Sequence, residues 1–146
     1  MDKYSYYNGK YVPVNEALII NNWKLDENWM PHDNAGTRKQ YVNIPALIAD
    51  EPGAKMELTF VGNAVGICVV SGPDAGIIEY RIDKQPYRKA DLFTIWSGNL
   101  HLPWYLVLGE QLENKTHTLQ IRTLTDKNPE SKGNACRILH FLVNNQ

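Results

Sequence analysis

The chain has 146 residues with 15 basic and 16 acidic side chains, a net charge of -1, and a length that suits one domain with its own hydrophobic core. It lacks the basic run that a nucleic-acid backbone or an anionic membrane surface requires. No apolar stretch approaches the roughly 20 residues that span a bilayer, and no signal-peptide pattern begins the sequence. Nucleic acid and membrane insertion are therefore excluded from the expected roles.

The predicted elements are strands, because apolar and polar residues alternate with a period of two in several segments. Near the N-terminus, residues 15–24 allow one or two helical turns, but the polar residues around them favour an irregular strand or loop. The later strands are predicted, in chain order, at residues 56–60, 64–70, 78–83, 91–96, 104–108, 118–122 and 138–143. The runs 64–70 and 138–143 are apolar almost throughout, which is typical of strands covered on both faces.

These strands predict an all-β fold, since no amphipathic helical segment of ten or more residues interrupts them. The expected architecture is an antiparallel β-sandwich of jelly-roll or Greek-key type. No repeat or linker divides the sequence, so residues 1–146 are predicted to form one domain, with residues 1–20 as a candidate irregular N-terminal extension.

The cysteines and histidines give no metal-binding pattern. Cys68 and Cys136 lie inside apolar runs, where a thiol packs as a small hydrophobic group, so free thiols are favoured over a disulfide between neighbouring strands. The four histidines have no paired spacing that indicates zinc. The Asp- and Asn-rich residues 26–34 offer oxygen ligands without the spacing of a calcium loop. We expect no metal and no cofactor.

No complete catalytic motif is present, whether a G-x-S-x-G or Gly-Asp-Ser nucleophile block, H-E-x-x-H, a P-loop or a dinucleotide fingerprint. Ser71, in a turn signal after a predicted strand, is the nearest candidate nucleophile, with His101 or His140 as a base. Such arrangements are recognised by geometry, so this alternative stays open. The favoured interpretation is that Ser71 satisfies turn hydrogen bonds, and that this chain is not itself an enzyme.

The aromatic residues point to binding, because sugar sites use flat apolar rings beside a few planar hydrogen-bonding side chains. Residues 98–105 are predicted to form a long connection between strands, where binding residues are common. The predicted ligand-binding residues are Trp96, His101, Trp104, Tyr105, Asp74 and Arg38. The alternatives are that the tryptophans close the ends of the core, and that one or two arginines pair with Asp74 or another aspartate.

Several short motifs follow one another in a distinctive order. They are Trp23 with Trp29, then 36–38 (GTR), 51–54 (EPGA), 60–66 (FVGNAVG), 72–83 (GPDAGIIEYRID), 91–93 (DLF), 100–104 (LHLPW), 117–119 (HTL) and 131–138 (SKGNACRI). Over residues 20–144 this order resembles the β-sandwich accessory domain of bacterial SGNH/GDSL-type hydrolases, which remove acyl groups from carbohydrates and related esters. It is also similar to the jelly-roll domain that accompanies the catalytic domain in some carbohydrate esterases.

The resemblance implies a sandwich packed against, or tethered to, an esterase domain in a periplasmic or secreted setting. The catalytic Gly-Asp-Ser and Asp-x-x-His motifs of that family do not occur here, so the chain resembles the accessory half alone. The expected partners are a saccharide or an adjacent SGNH-type catalytic domain. The alternatives are a stand-alone hydrolase that uses Ser71 and His101, and a structural spacer in which all four tryptophans are buried.

Overall fold

A computed structural model describes residues 9–29, 36–37, 44–93 and 100–144 of the chain. These ranges form twelve strands and one 3-10 turn at Val14–Glu16. The strands are β1 (Gly9–Pro13), β2 (Leu18–Asn21), β3 (Lys24–Trp29), β4 (Gly36–Thr37), β5 (Ile44–Ala49), β6 (Lys55–Gly62), β7 (Ala64–Ser71), β8 (Ile77–Ile82), β9 (Arg88–Asp91), β10 (Leu100–Gly109), β11 (Lys115–Thr123) and β12 (Cys136–Asn144). No helix in the described part of the chain is long and apolar enough to cross a membrane.

The strands form two sheets that pack face to face. The seven-stranded sheet has the order β3-β5-β12-β7-β10-β4, with β1 also paired to β12, and the five-stranded sheet has the order β2-β6-β11-β8-β9. The named strand pairs are antiparallel except for the short pairing of β10 with β4. The predicted all-β antiparallel sandwich is therefore confirmed, whereas the assignment of residues 1–146 to one domain stays a prediction.

The main core lies between the sheets and follows from the alternation seen in the sequence. Along β6, Met56, Leu58 and Phe60 are buried, while the residues between them are exposed or half-buried. The central strand β7 is buried along its whole length. A second, smaller cluster forms on the outer face of the seven-stranded sheet and contains Ala46, Ile48, Cys68, Val70 and Leu139. The run 64–70 is therefore covered on both faces, as predicted.

Residues 15–24 differ from the irregular strand or loop that the sequence favours. After the 3-10 turn, β2 joins the five-stranded sheet and β3 joins the seven-stranded sheet. Asn22 has a φ of 58°, a left-handed conformation that asparagine tolerates better than most residues. It lets the chain cross from one sheet to the other. Trp23, next to it, is 5% exposed and fills the core at the crossing.

The predicted strand at residues 91–96 is wrong at residues 92–93, because β9 ends at Asp91. The Asp91 side chain accepts a hydrogen bond from the backbone N–H of Phe93 at 2.9 Å, an Asx-turn that directs the chain out of the sheet. Leu92 then enters the core, where it is fully buried. Residues 94–96 lie outside the described part of the chain.

The predicted connection at residues 98–105 is also wrong from residue 100 onward, because β10 begins at Leu100. Residues 102–107 pair in continuous register with β7, from Leu102 opposite Ser71 to Val107 opposite Gly66. Pro103 lies inside this strand, because proline is compatible with a strand at a sheet edge. Among the described residues, β10 pairs with β4 only at Leu100 and His101, so most of its far side is such an edge.

Both cysteines are free and buried, as the sequence favours. Cys136 packs in the main core, and burial raises the pKa of its thiol to about 12. Cys68 lies on the other side of the seven-stranded sheet, in the smaller cluster.

Two substitutions in β6 test which face supports the fold. We expect Leu58→Ala to lower the free energy of unfolding by about 2–5 kcal/mol, because it leaves a cavity beside Leu119 in the core. Val61→Ala, on a half-exposed residue of the same strand, is expected to change it by less than about 0.5 kcal/mol. Urea denaturation measures both values, and equal losses would contradict the assignment of the two faces.

Candidate functional site

Strand β10 separates two residues that the sequence groups in one site. Trp104 is 44% exposed and Tyr105 is 55% exposed, but consecutive residues of a strand point to opposite faces of its sheet. Trp104 shares the side of Leu106 and Leu108, which pack with the main core. Tyr105 shares the outer side with Val107. The two predicted ligand-binding residues therefore belong to different surfaces.

On the outer face, Tyr105 lies in a row with two aromatic side chains from other strands. His140 of β12 lies between Tyr105 and Tyr11 of β1, with ring-centroid distances of 5.9 Å to Tyr105 and 4.6 Å to Tyr11. The Tyr11 and His140 rings are nearly perpendicular, at 88°, which is a favourable edge-to-face arrangement. Tyr11 is 70% exposed. We call Tyr11, His140 and Tyr105 the aromatic row.

The register of three strands explains why these rings meet. Cys68 of β7 is opposite His140 on one side and opposite Tyr105 on the other. Its small side chain leaves room above β7 for the two larger rings to lean together. Burial raises the pKa of the Cys68 thiol, and a hydrogen bond with Tyr105 opposes that shift. Tyr105 is thus anchored to the strand beneath it.

The aromatic row is long enough to contact more than one sugar unit. It runs across β1, β12, β7 and β10, and the centroid distances of 4.6 and 5.9 Å place the Tyr11 and Tyr105 rings up to about 10.5 Å apart. Val107, half-exposed and two residues beyond Tyr105 on the same face of β10, extends the apolar surface along the strand.

His140 gives the aromatic row one polar atom and a neutral ring. Burial lowers the pKa of His140 below its ordinary value of 6.5, because a partly desolvated site disfavours the imidazolium ion. Its Nε2 is buried and has no hydrogen-bond partner among the described residues. The buried nitrogen is out of reach of a ligand, whereas the exposed rings of Tyr11 and Tyr105 are suited to apolar stacking.

The outer face of the five-stranded sheet is different, because its polar groups pair with one another. The Glu57 carboxylate accepts a hydrogen bond from Gln120 at 2.7 Å, and Gln120 accepts one from Arg81 at 2.5 Å. Arg122 donates to Glu79 at 2.7 Å. We call this set the polar ladder. Its internal hydrogen bonds leave fewer donors and acceptors for a ligand than an unpaired set would.

Asp74, another predicted site residue, forms a bidentate ion pair with Arg137 at 2.8 and 2.6 Å. Arg137 is buried, so this pair fixes the turn after β7 against β12. The expectation that an arginine pairs with Asp74 is confirmed, and the role of Asp74 in ligand binding stays a prediction. Arg38 and Trp96 lie outside the described residues, as does the side chain of His101.

Ser71 has a position that does not suit an attacking group. Its side chain is fully buried at the end of β7, and the hydroxyl donates a hydrogen bond to the backbone carbonyl of Leu92.

His117 contacts the Asp83 carboxylate and the Glu113 carbonyl, each at 2.7 Å. No group of three or more potential metal ligands occurs among the described residues.

Two members of the aromatic row were missed by the sequence reasoning. Tyr11 lies in a tyrosine-rich N-terminal segment, and His140 lies inside an apolar run. Nothing in either segment indicates that β1 pairs with β12 or that β12 lies beside β7. Only the strand register brings these side chains next to Tyr105.

Solved structures with a similar fold include two carbohydrate esterases and a polysaccharide lyase. A two-domain esterase active on acetylated mannans has a TM-score of 0.62 at 14% identity, over 94% of this chain and 36% of the esterase. A family two carbohydrate esterase from Cellvibrio japonicus has a TM-score of 0.53 at 11% identity, over 94% of this chain and 34% of the esterase. A Paenibacillus xanthan lyase has a TM-score of 0.61 at 13% identity, over 92% of this chain and 13% of the lyase.

These similarities establish the fold, and this chain spans a third or so of the esterases and a smaller part of the lyase. No protein-family model matches the sequence. No curated protein matches it either. The chain thus shares its β-sandwich fold with one part of each of these larger enzymes.

The protonation of His140 reports on the aromatic row. We expect Tyr105→Ala to raise the pKa of His140 toward 6.5, because removing the phenol ring lets water reach the imidazole. In the unaltered protein, the pKa of His140 is lower in the folded state than in the unfolded chain. Below pH 6.5 the unfolded chain therefore binds the proton more readily, and the contribution of His140 to the free energy of unfolding falls as the pH decreases.

An NMR titration of the histidine ring signals measures this shift. Trp104→Ala is the matched control, since Trp104 is on the opposite face of the same strand. An unchanged His140 pKa in Tyr105→Ala, or an equal change in Trp104→Ala, would contradict the proposed packing of the row.

Proposed function

We propose that this chain is a non-catalytic accessory module of a bacterial SGNH-type ester hydrolase, and that it binds carbohydrate on the aromatic row. The parent enzyme would act on acylated saccharides in the periplasm or outside the cell. The module would hold the polysaccharide near the catalytic domain, so that the ester bonds are presented repeatedly to the active site.

The observation that carries this proposal is the exposure of two tyrosine rings on one sheet face. Tyr11 and Tyr105 are 70% and 55% exposed and flank His140 over four neighbouring strands. A sheet face of this kind can stack against the apolar C–H surfaces of sugar rings. The tyrosine hydroxyls supply hydrogen-bonding groups beside these apolar faces.

Two further facts support an accessory role. Similar folds occur in carbohydrate esterases and a xanthan lyase, in which the matching part is a minority of the protein. The sequence also resembles the accessory domain of SGNH-type hydrolases without the catalytic motifs of that family. Both facts favour a module that works beside a separate catalytic domain.

The two alternatives are less consistent with the geometry. A hydrolase that uses Ser71 needs an accessible hydroxyl near a base, yet Ser71 is fully buried and donates its hydrogen bond to a backbone carbonyl. A structural spacer predicts buried tryptophans, yet Trp104 is 44% exposed. We therefore favour binding over both.

Removing the Tyr105 ring should weaken the binding of oligosaccharides. We expect the unaltered chain to bind a neutral β-linked oligosaccharide, such as mannopentaose or cellohexaose, and Tyr105→Ala to weaken it by at least tenfold, because a stacking face is lost. Trp104→Ala should bind like the unaltered chain. Isothermal titration calorimetry on the three proteins measures the affinities.

The same samples are tested for hydrolysis of an acetylated saccharide and of a generic ester. We expect no turnover. Turnover that Ser71→Ala removes would identify the chain as an enzyme and contradict the proposal. Oligosaccharide binding lost in Trp104→Ala but kept in Tyr105→Ala would move the site to the other face of β10.

A second candidate function is docking onto the catalytic domain, and one observation favours it. The edge strand β2 exposes consecutive apolar residues, among which Leu18 is 63% and Ile20 is 50% exposed. An exposed apolar edge strand favours association with another surface. The five-stranded sheet could thus contact the catalytic domain while the seven-stranded sheet binds saccharide.

Hydrogen exchange tests the docking candidate. We expect the amides of β2 to exchange several-fold more slowly in the full-length enzyme than in the isolated module, because the catalytic domain covers them. The edge strand β9 at the opposite end of the same sheet, which carries polar residues, is the internal control. Equal exchange of β2 in both proteins would remove this candidate.

A further inference from the structure

A cleft opens at the edge of the sandwich between two segments, and one buried side chain contacts both of them. The β8–β9 turn (residues 83–87) contributes Gln85 and Pro86 to the cleft, and the segment after β10 contributes residues 110–112. His117, near the start of β11, is 4% exposed. Its ring joins the first residue of the turn to the end of the other segment.

Both partners of the His117 ring are hydrogen-bond acceptors. Nε2 lies 2.7 Å from the backbone carbonyl oxygen of Glu113, and Nδ1 lies 2.7 Å from Asp83 Oδ2. The hydrogen bond with His117 is the main cause that lowers the pKa of Asp83, and the backbone N–H of Thr118 adds to it. Asp83 is therefore a carboxylate at neutral pH and has no proton to donate.

The two contacts together define the protonation of the ring. A neutral imidazole has one N–H group and one nitrogen lone pair, so it can donate to only one acceptor. An imidazolium ion donates from both nitrogens. The geometry of His117 thus matches the doubly protonated ring, which satisfies Asp83 and Glu113 at the same time.

Loss of one proton affects the two contacts unequally. The carboxylate of Asp83 favours a proton on Nδ1, because a hydrogen bond to a charged acceptor is the stronger one. The proton that leaves is then the one on Nε2, and its lone pair faces the Glu113 carbonyl oxygen across 2.7 Å. This carbonyl still accepts the backbone N–H of Lys115 at 2.9 Å, so it keeps a partner when it moves away from the ring.

The Asp83 side of the ring is firmly held. Asp83 has a φ of 56°, its N–H donates to the Thr118 carbonyl at 2.8 Å, and its Oδ1 accepts the Thr118 N–H at 2.9 Å. The turn therefore remains attached to β11 in either protonation state.

The Glu113 side is held less firmly. Residues 110–114 are exposed or half-buried, and the Leu112 N–H donates to the Asn63 carbonyl at 2.9 Å. The Glu113 carboxylate is 80% exposed and pairs with Lys115 at 3.2 Å. This segment is the one that can move when its contact with His117 is lost.

We propose that His117 is a proton-dependent latch on the cleft: the imidazolium ion ties the β8–β9 turn to the segment after β10, and loss of the Nε2 proton releases that segment. The ring packs against Phe60 of β6, with centroids 5.5 Å apart, so it stays in place when the segment moves. The cleft is closed in acidic solution and widens as the pH rises. The latch lies apart from the aromatic row and does not depend on saccharide binding.

NMR measurements on the unaltered chain test the latch. Histidines change charge between about pH 5 and pH 8, so we expect protons on both His117 ring nitrogens at the lower pH and on Nδ1 alone at the higher pH. The hydrogen-exchange protection factor of the Leu112 amide should fall at least about fivefold over this range, with the same midpoint as the ring signals. The amides of the central strand β7 should keep their protection factors.

Asp83→Asn should abolish this pH dependence. Asparagine tolerates the left-handed φ and keeps an oxygen for the Thr118 N–H, but its amide N–H donates to Nδ1. A neutral ring with its proton on Nε2 then satisfies both contacts, so the Leu112 protection factor should stay constant. Glu113→Gln is the control, because it removes an exposed carboxylate and leaves the backbone carbonyl, and it should keep the fall in protection.

Three results would overturn the inference. They are a neutral His117 ring with its proton on Nε2 in the unaltered chain, a Leu112 protection factor that does not follow the His117 titration, and a fall in protection that is as large in Asp83→Asn as in Glu113→Gln. The first two are measured on the unaltered chain, so they decide the question even if Asp83→Asn does not fold.

Discussion

The pairing of β7 with β12 and β10 is the constraint on which the rest of the structure depends. β7 is buried along its whole length, with Val65, Ile67 and Val69 in the main core. Its outer side carries smaller residues, including Gly66 and Cys68. A large residue at position 68 would separate His140 of β12 from Tyr105 of β10. The small side chain of Cys68 therefore allows the aromatic row to form.

The two outer faces of the sandwich differ in chemistry, because one carries polar side chains that hydrogen-bond to one another and the other carries exposed aromatic rings. On the five-stranded sheet, the polar ladder links three strands through side-chain hydrogen bonds, and Tyr87 lies against Arg81 and Arg122. On the seven-stranded sheet, the aromatic row and Val107 face outward, and the described residues there form no comparable ladder, although Arg137 pairs with Asp74. A face that satisfies its own polar groups is suited to solvent, and a face with exposed rings is suited to a ligand.

The sequence predicted the fold well, because burial imposes a pattern that is visible residue by residue. The alternation through Met56, Leu58 and Phe60 and the apolar run of β7 identified their strands and the faces that they bury. The errors arose where local signals opposed the sheet. Residues 98–105 were predicted to be a connection, yet a ten-residue strand begins at Leu100. The run after Asp91 was predicted to be a strand, yet an Asx-turn ends β9 at that residue.

The site was predicted less well than the fold, because it depends on strand register. Tyr105 was identified as a binding residue, but the sequence placed it with Trp104, which lies on the opposite face. Tyr11 and His140 are more than a hundred residues apart in the chain, and their contact exists only because β1 pairs with β12. A pattern of period two shows which residues share a face within one strand and gives no information on which strands are neighbours.

The pairing of β1 with β12 also has a geometric consequence for the way the module is connected to other parts of a protein. Gly9 and Asn144 are opposite each other in the register, so both ends of the described chain leave from one corner, two residues from Tyr11. Any domain joined by a short linker at either end is tethered beside the aromatic row. Such a tether gives the joined domain a high effective concentration at whatever lies on that surface.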